Sequence, residues 1–228
     1  MDDPFFQEAA VKGVEDAPDG AEISPDVLRA DRLPPGQSRT RRWPVLDTGV
    51  HPPIQGRGEY RLVVDGLVDR PLDLDWHALS RFPVVRVLAD MHCVTRWSRL
   101  GVVWEGVRVS DVLDAAGVQP EGLYANAHGR DVVAHTKAGS VHWSTNLRIE
   151  EIRADDCLLA WSHDGRALSN EHGGPLRLVV PRRYAWKSAK WLCRLEVTGQ
   201  EVPGYWERGG YHLRGDPWKE QRFRFSGE

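Results

Sequence analysis

The segment that decides the fold is VVRVLADMHCVTRWSRL, residues 84–100. Its first five residues, 84–88, are mostly β-branched and apolar, and such a run predicts a buried strand. The strand leads directly into Met91, His92 and Cys93, and a polar segment with two arginines follows. Side chains at the end of a strand can be held rigidly and still face a cleft. We therefore expect Cys93 to lie at the edge of a functional site.

The rest of the chain adds short strands and a few short helices. Asp75 is expected to cap a helix over 76–82. Ser110 is expected to cap a second helix that ends at Gly117. Further strands are predicted over 60–66, 124–128, 132–136, 158–162, 166–168, 176–180 and 191–197, with turns at 129–130 and 164–165 and one or two helical turns over 147–153. The sequence has no repeat and no regular β-α-β alternation, so it predicts an α+β fold with a β-rich core in a single domain.

The N-terminal region differs in composition from the rest. Residues 1–28 carry eight acidic side chains and one lysine, with little hydrophobic periodicity. We expect residues 1–32 to form an acidic arm that is mobile or loosely docked, and residues 33–228 to form the domain. The stretch that follows the arm is basic and rich in turn-forming residues, and it is expected to wrap over the folded body.

Composition excludes several functions. The formal net charge of the 228 residues is -3, which argues against a general nucleic-acid-binding protein. No run approaches the roughly 20 apolar residues that span a bilayer. The N-terminus lacks an apolar export segment, so a cytoplasmic location is expected. The three cysteines are too few and too far apart for a disulfide framework or a zinc site. Cys157 and Cys193 are expected to be small buried hydrophobic residues.

Cys93 lies in a different environment. Arg96 and Arg99 follow it, and nearby arginine charge lowers the pKa of a thiol and favours the thiolate that binds metals or attacks electrophiles. Two alternatives stay open at this point. One alternative is that Cys93 is an inert cysteine. The other is that it is a nucleophile with His92 as its base, but neighbouring residues on a strand point to opposite faces, which makes His92 a poor partner.

Two further clusters contain candidate anion ligands. Around the Gly-Gly turn at 173–174, His172 and Arg177 could hold a phosphate or an anionic ring substituent; the alternative is a hairpin connection with solvent-facing polar groups. Further on, Ser188 lies between two lysines that could face one anion, although a solvated lysine face is the default interpretation. The spacing of a P-loop is absent.

Together these clusters resemble one family. The strings MHCVTRWSRLGVVWEGVRVSDVL (91–113), HGGPLRLVVP (172–181), YAWKSAKWL (184–192) and PGYWERGGYHLRGDPWKEQRF (203–223) are similar to the sulfite-oxidase-like, molybdopterin-binding oxidoreductases. The resemblance covers roughly residues 33–223 and is greatest to the soluble, stand-alone bacterial branch. It implies a sulfite-oxidase-type α+β fold and Mo-molybdopterin as the cofactor.

The resemblance also implies roles for individual residues. Cys93 matches the family cysteine whose thiolate is the protein ligand to molybdenum, and Arg96 is the nearest match to a substrate-binding arginine. The other implied cofactor-binding residues are His128, His172, Arg177, Ser188, Ala189 and Lys190. Val45 and Leu46 match a segment that covers the cofactor.

The function implied is two-electron oxygen-atom transfer on a small oxo-substrate, a sulfur oxyanion or a sulfoxide. Because the chain has no haem or flavin motif, electrons are expected to pass to or from a separate protein or a diffusible carrier. Arg96 and Arg99 predict a basic mouth beside Cys93, and residues 205–212 are expected to line it. Two rival hypotheses are a non-catalytic molybdopterin carrier or sensor, and a metal-free thiol enzyme.

Overall fold

Two β-sheets form the framework of the protein. The structure is a computed structural model, and it describes residues 11–48, 51–136 and 139–226. Within these residues, the first sheet contains β1 (Glu22–Ile23), β2 (Ser38–Arg39), β5 (Val84–His92), β6 (Trp97–Arg108), β9 (Leu158–His163), β10 (Arg166–Ala167) and β11 (Arg177–Val179). Its strand order is β1-β5-β6-β9-β10, with β2 also pairing with β6 and β11 with β9.

The described residues also form a second sheet, four short α-helices and several single-turn 3-10 helices. The strands are β3 (Arg61–Gly66), β4 (Leu72–Asp75), β7 (Tyr124–Thr136), β8 (Gly139–Arg148) and β12 (Leu192–Thr198), in the order β4-β3-β12-β7-β8. The helices are α1 (Trp76–Leu79), α2 (Val109–Ala116), α3 (Ile149–Ile152) and α4 (Tyr205–Arg208). None of the helices in the described part of the chain is long and apolar enough to cross a membrane.

The largest hydrophobic core joins the two sheets. Leu62 on β3 and Leu195 on β12 pack in the same buried cluster as Val107 on β6 and Leu159 on β9. All four side chains are fully buried. The predicted α+β class with a β-rich core is confirmed.

Helix ends follow the sequence signals in part. The carboxylate of Asp75 accepts a hydrogen bond from the backbone N–H of Ala78 at 2.7 Å, so the predicted cap is confirmed, although α1 is shorter than expected. The predicted cap at Ser110 is wrong, because α2 begins one residue earlier and Ser110 lies inside its first turn. Gly117 ends α2 in the left-handed conformation, φ 70°, as predicted.

The predicted turn at 129–130 is wrong. Residues 124–136 form one strand, β7, with register shifts against both of its neighbours. The N–H of Arg130 donates to the carbonyl of Trp191 at 3.0 Å, so this part of the backbone is bonded to the chain that enters β12 and does not reverse direction. The β8 strand, which no sequence signal predicted, pairs along β7 as far as Gly139.

Two cysteine predictions have different outcomes. Cys157 is fully buried, as expected. Cys193 is only half-buried, because a register shift between Leu192 and Arg194 interrupts the alternation and turns Leu192 into the core instead.

The described part of the acidic arm, residues 11–32, contacts the first sheet. β1 pairs in parallel with β5, and the hydroxyl of Ser24 donates to Asp156 at 2.7 Å. Arg32 donates to the buried carboxylate of Asp90 at 2.9 Å. Residues 1–10 lie outside the described residues. The domain boundary at residue 32 stays a prediction.

Candidate active site

A cavity of about 260 Å³ opens at the end of β5, where Cys93 follows the strand. Its wall is formed by residues far apart in the sequence: Trp43, Pro44, Leu46, Asp47, Thr48, Met91, Cys93, Val94, Thr95, Trp97, Asp131, Trp143, Arg177, Ala185, Trp186, Ser188, Lys190, Trp191, Trp206 and Tyr211. Of the residues singled out in the sequence, Cys93, Arg177, Ser188 and Lys190 therefore meet at one cavity.

Cys93 occupies a tight turn between β5 and β6. Its N–H donates to the carbonyl of Trp97 at 2.8 Å, and its own carbonyl accepts from the N–H of Arg96 at 3.1 Å. The thiol sulfur accepts a hydrogen bond from the hydroxyl of Thr95 at 3.2 Å. Because β6 follows within a few residues, the turn presents the thiol at a fixed point of the cavity wall.

The sequence predicted arginines that lower the pKa of Cys93, and this prediction is wrong for the residues named. Burial raises the pKa of the thiol, and this effect outweighs the hydrogen bond from Thr95. Arg96 adopts φ 72° and is exposed, with its side chain directed toward the carbonyl of Gly36. Arg99 donates to Asp164 at 2.9 Å. Neither arginine lines the cavity, so the predicted basic mouth is not formed.

The arginine that reaches the Cys93 turn comes from the other end of the chain. Arg222 is buried and donates to the carbonyl of Val94 at 2.7 Å. Its guanidinium lies over the ring of Tyr184, 5.0 Å from the centroid, and its charge favours the thiolate of Cys93. Position 222 belongs to the resembling string 203–223, but its place beside the turn had no signal in the sequence.

Two cationic side chains, Arg177 and Lys190, also line the cavity. Arg177 is buried and donates to the carbonyls of His172 at 2.9 Å and Ser188 at 3.1 Å. It has no carboxylate partner among the described residues. Burial lowers the pKa of Arg177 to about 10, and burial together with the Arg177 charge lowers the pKa of Lys190 to about 8. Asp47 and Asp131 line the same cavity and act in the opposite direction on the Lys190 pKa.

Asp47 is a site residue that the sequence did not single out. Its carboxylate accepts from the ammonium of Lys190 at 3.3 Å and lies 2.7 Å from the ring Nε2 of His51. Asp47 thus partly neutralises Lys190 at the edge of the cavity. It follows Leu46, which also lines the cavity, in the segment that was expected to cover the cofactor.

Four other predicted residues do not line the cavity. His172 supports the wall from behind: its Nε2 donates to the carbonyl of Trp43 at 3.3 Å, and the two rings lie 3.9 Å apart. Ala189 is fully buried, and its carbonyl accepts from the N–H of Leu178 at 2.8 Å. His128 lies 3.3 Å from Glu196 on the second sheet, away from the cavity, and Arg96 is exposed.

An aromatic wall faces Cys93. It consists of Trp186, Trp206 and Tyr211, with the Tyr211 ring 5.0 Å from that of Trp186 and 5.1 Å from that of Trp206. Burial, and to a smaller extent the charge of a Cys93 thiolate, raise the pKa of the Tyr211 hydroxyl. The expectation that residues 205–212 help to line the mouth is confirmed for Trp206 and Tyr211.

This donor set fits a cofactor that joins a soft metal to an anionic tail. A thiol is a soft metal ligand, and Cys93 supplies one on the cavity wall. Arg177 and Lys190 supply charge-assisted donors for a phosphate. The indole N–H groups of Trp97 and Trp186 are buried, line the cavity and have no hydrogen-bond partner in the structure, so they are further donors for a bound group.

Comparisons with known proteins agree with this class of cofactor enzyme. Residues 49–206 match the model of the oxidoreductase molybdopterin binding domain. The chain is 45% identical over 195 residues to the uncharacterized oxidoreductase YuiH of Bacillus subtilis (strain 168), covering 86% of this chain and 93% of that protein. It is 31% identical over 157 residues to the protein-methionine-sulfoxide reductase catalytic subunit MsrP of Gluconobacter oxydans (strain 621H), covering 65% of this chain and 50% of that protein.

Among solved structures, the sulfane dehydrogenase SoxCD of Paracoccus pantotrophus is similar, with a TM-score of 0.56 and 30% identity over 65% of this chain and 40% of that chain. The chain belongs to the oxidoreductase molybdopterin-binding domain family. It is a sulfite-oxidase-like oxidoreductase whose cofactor is Mo-molybdopterin.

Proposed function

We propose that the protein removes an oxygen atom from a small sulfoxide in the cavity beside Cys93. The observation that carries this proposal is the composition of the cavity, whose wall contains the Cys93 thiol, three aromatic rings and the two cationic side chains Arg177 and Lys190. The cations suit the anionic tail of the cofactor, and the thiol with its aromatic surroundings suits the metal and the substrate.

Individual residues have distinct tasks in this proposal. Cys93 is the protein ligand to molybdenum, and Arg177 and Lys190 hold the phosphate of the cofactor. Ser188 and Ala189 contribute through the backbone, since the Ser188 carbonyl fixes Arg177 and the Ala189 carbonyl fixes β11. His172 acts indirectly by holding Trp43 against the cavity. We do not extend these roles to His128 or Arg96, because their side chains lie elsewhere.

When bound, Mo-molybdopterin supplies two-electron oxygen-atom transfer, while the protein supplies position and electrostatics. The chain's own contribution begins with Cys93, which its turn holds in one orientation. The rings of Trp186 and Trp206 exclude water from the space beside it. The hydroxyl of Tyr211 is the nearby proton donor for the oxygen of a substrate.

The charge of the mouth favours a neutral dipolar substrate over an anion. The sequence left a sulfur oxyanion and a sulfoxide as alternatives, and the expected basic mouth was compatible with both. Arg96 and Arg99 lie outside the cavity, and the groups around Cys93 are mainly aromatic. A sulfoxide presents an apolar part to the rings and a polar S–O bond to Tyr211.

An activity panel with reduced methyl viologen as electron donor tests this proposal. Holoenzyme is expected to reduce dimethyl sulfoxide or methionine sulfoxide, with little change in Arg96→Ala. Trp206→Ala is expected to raise KM for the sulfoxide by about fivefold through loss of an aromatic contact worth about 1 kcal/mol. Sulfite is tested with ferricyanide as electron acceptor, because its oxidation to sulfate releases two electrons. Turnover of sulfite alone, with a strong dependence on Arg96, would contradict the assignment of substrate. Metal-loaded protein inactive on every oxo-substrate would favour the carrier or sensor hypothesis.

A further inference from the structure

Arg222 joins the turn that carries Cys93 to a second piece of backbone. Its Nη1 donates to the carbonyl of Val94 at 2.7 Å, and its Nη2 donates to the carbonyl of Pro35 at 3.3 Å. The backbone around Pro35 in turn holds the Cys93 turn, because Nε2 of Gln37 donates to the carbonyl of Cys93 at 2.9 Å. One side chain therefore bridges two segments that both fix the position of the thiol.

The charge of Arg222 is only weakly neutralised. Its side chain is 6% exposed, and Oε1 of Glu220 lies 3.7 Å away on a side chain that is 46% exposed. Water and salt screen an exposed carboxylate, so it offsets a buried guanidinium only in part. Burial raises the pKa of the Cys93 thiol, and the charge of Arg222 acts in the opposite direction. The field of this guanidinium therefore reaches the sulfur.

The place of Arg222 is defined by a folded segment. Tyr211 and Phe223 form an antiparallel bridge, and the N–H of His212 donates to the carbonyl of Arg222 at 3.3 Å. The guanidinium also lies over the ring of Tyr184, 5.0 Å from its centroid. The same short hairpin thus carries Tyr211 on the cavity wall and Arg222 on the Cys93 turn.

We propose that Arg222 is a positioning residue that fixes the Cys93 turn and, through its charge, raises the reduction potential of the metal bound there. The inference rests on the proposed role of Cys93 as the ligand to molybdenum. Each electron added to a metal lowers its positive charge, so a nearby cation stabilises the reduced metal relative to the oxidised metal. Groups around a metal ligand commonly tune a site in this way.

A purely structural role for Arg222 makes a different prediction. Any substitution would then loosen the turn, and the charge of the new side chain would not matter to the metal. Arg222→Gln removes the charge and keeps an amide donor, whereas Arg222→Lys keeps the charge on a single donor. Comparison of the two variants therefore separates charge from packing.

A redox titration of holoenzyme measures the effect of charge without turnover. Wild type, Arg222→Gln and Arg222→Lys are poised with mediators over a range of potentials, and Mo(V) is followed by electron paramagnetic resonance. In Arg222→Gln, the ratio of reduced to oxidised molybdenum at a given potential is expected to fall about tenfold for each one-electron step, which is about 59 mV. Arg222→Lys is expected to stay within about twofold of the wild-type ratio.

Amide hydrogen exchange of the metal-free chain measures the effect on position. The N–H of Cys93 donates to the carbonyl of Trp97, and the N–H of Arg96 donates to the carbonyl of Cys93. The shorter side chain of Arg222→Gln cannot bridge the two carbonyls that Arg222 joins. Both N–H groups are therefore expected to exchange at least about tenfold faster in this variant.

Arg224 provides the matched control, because it is exposed and lies two residues further along the chain. Arg224→Gln removes the same charge and should keep the wild-type potentials and exchange rates within about twofold. Wild-type potentials in Arg222→Gln, an equal shift in Arg224→Gln, or no recovery in Arg222→Lys would overturn the proposal. The proposed function fails separately, if wild-type holoenzyme reduces no sulfoxide while Arg222→Gln still lowers the potential.

Discussion

At the residue scale, Thr95 is the side chain that touches the sulfur of Cys93, with its hydroxyl 3.2 Å away. A hydrogen bond to a metal-bound thiolate weakens the thiolate as a donor, and such neighbouring groups tune a metal site by about 10–100-fold in affinity or activity. Thr95→Val is therefore expected to shift the thiolate-to-molybdenum absorption band to lower energy and to reduce turnover about tenfold. Thr95→Ser should keep the wild-type band. Identical spectra for the two variants would contradict a role for this hydrogen bond.

Lys190 gives the site a pH dependence. Because burial and Arg177 lower the pKa of its ammonium to about 8, the residue loses its charge above that pH when no anion is bound. If Lys190 holds the cofactor phosphate as proposed, binding above that pH requires uptake of a proton. The affinity for the cofactor should then fall by up to about tenfold per pH unit above pH 8 and stay constant below it. Cofactor retention after dialysis, measured as molybdenum content between pH 7 and pH 9.5, checks this. Lys190→Arg stays charged and should flatten the profile; an unchanged profile in that variant would contradict the assignment.

At the element scale, a buried ion pair fixes the aromatic wall. Lys187 and Glu207 are fully buried, with the ammonium donating to Oε1 at 2.6 Å, and the Thr145 hydroxyl donates to the same oxygen at 2.7 Å. These two residues are the chain neighbours of Trp186 and Trp206. The pair therefore ties α4 and the 185–187 turn to β8 and sets the positions of two rings of the wall.

Removal of Glu207 leaves the Lys187 charge buried without its partner. Glu207→Ala is expected to lower the free energy of unfolding by about 3–5 kcal/mol, and Glu207→Gln by less because it keeps hydrogen bonds. Urea denaturation of the apo chain measures both, with exposed Glu121→Ala as the control near zero. A loss below about 1 kcal/mol for Glu207→Ala would show that the pair does not anchor the wall.

The sequence predicted the ends of helices better than it predicted how strands pair. Asp75 and Gly117 act through groups a few residues away, and both signals were correct. β7 was divided into two strands because Gly129 is typical of a turn, whereas its pairing with the distant β12 keeps it in a strand. The prediction that Cys193 is buried was wrong for the same reason, because a register shift depends on the partner strand.

At the scale of the whole molecule, the site is assembled from distant segments. The sequence motifs at 91–113, 172–181 and 184–192 pointed to Cys93, Arg177, Ser188 and Lys190, because each of these residues lies within a recognisable motif. Asp47 and Arg222 had no such pattern, as their roles come from tertiary contacts with Lys190 and the Val94 carbonyl. The prediction that Arg96 and Arg99 line the mouth was wrong. The left-handed backbone at Arg96 and the ion pair of Arg99 with Asp164 form only in the folded chain.

Residues 11–32 pack against the first sheet. Truncation of the chain therefore tests the domain boundary predicted at residue 32. Asp90 is buried and accepts from Arg32, so a chain that begins at residue 33 leaves this carboxylate without its guanidinium. We expect a loss of about 3–5 kcal/mol in the free energy of unfolding. Arg32→Ala in the full chain should reproduce most of this loss in urea denaturation. A truncated protein as stable as the full chain would show that residues 33–228 form the independent domain.

Cys93 as the ligand to molybdenum is the central claim, and X-ray absorption at the molybdenum edge tests it most directly. Purified holoenzyme of the wild type, of Cys93→Ser and of the matched Cys193→Ser variant are compared at equal metal content. Sulfur and oxygen differ in scattering and in distance from the metal, so the ligand change is visible without turnover. We expect Cys93→Ser to lose one sulfur ligand while Cys193→Ser keeps the wild-type spectrum. An unchanged sulfur shell in Cys93→Ser would contradict the account.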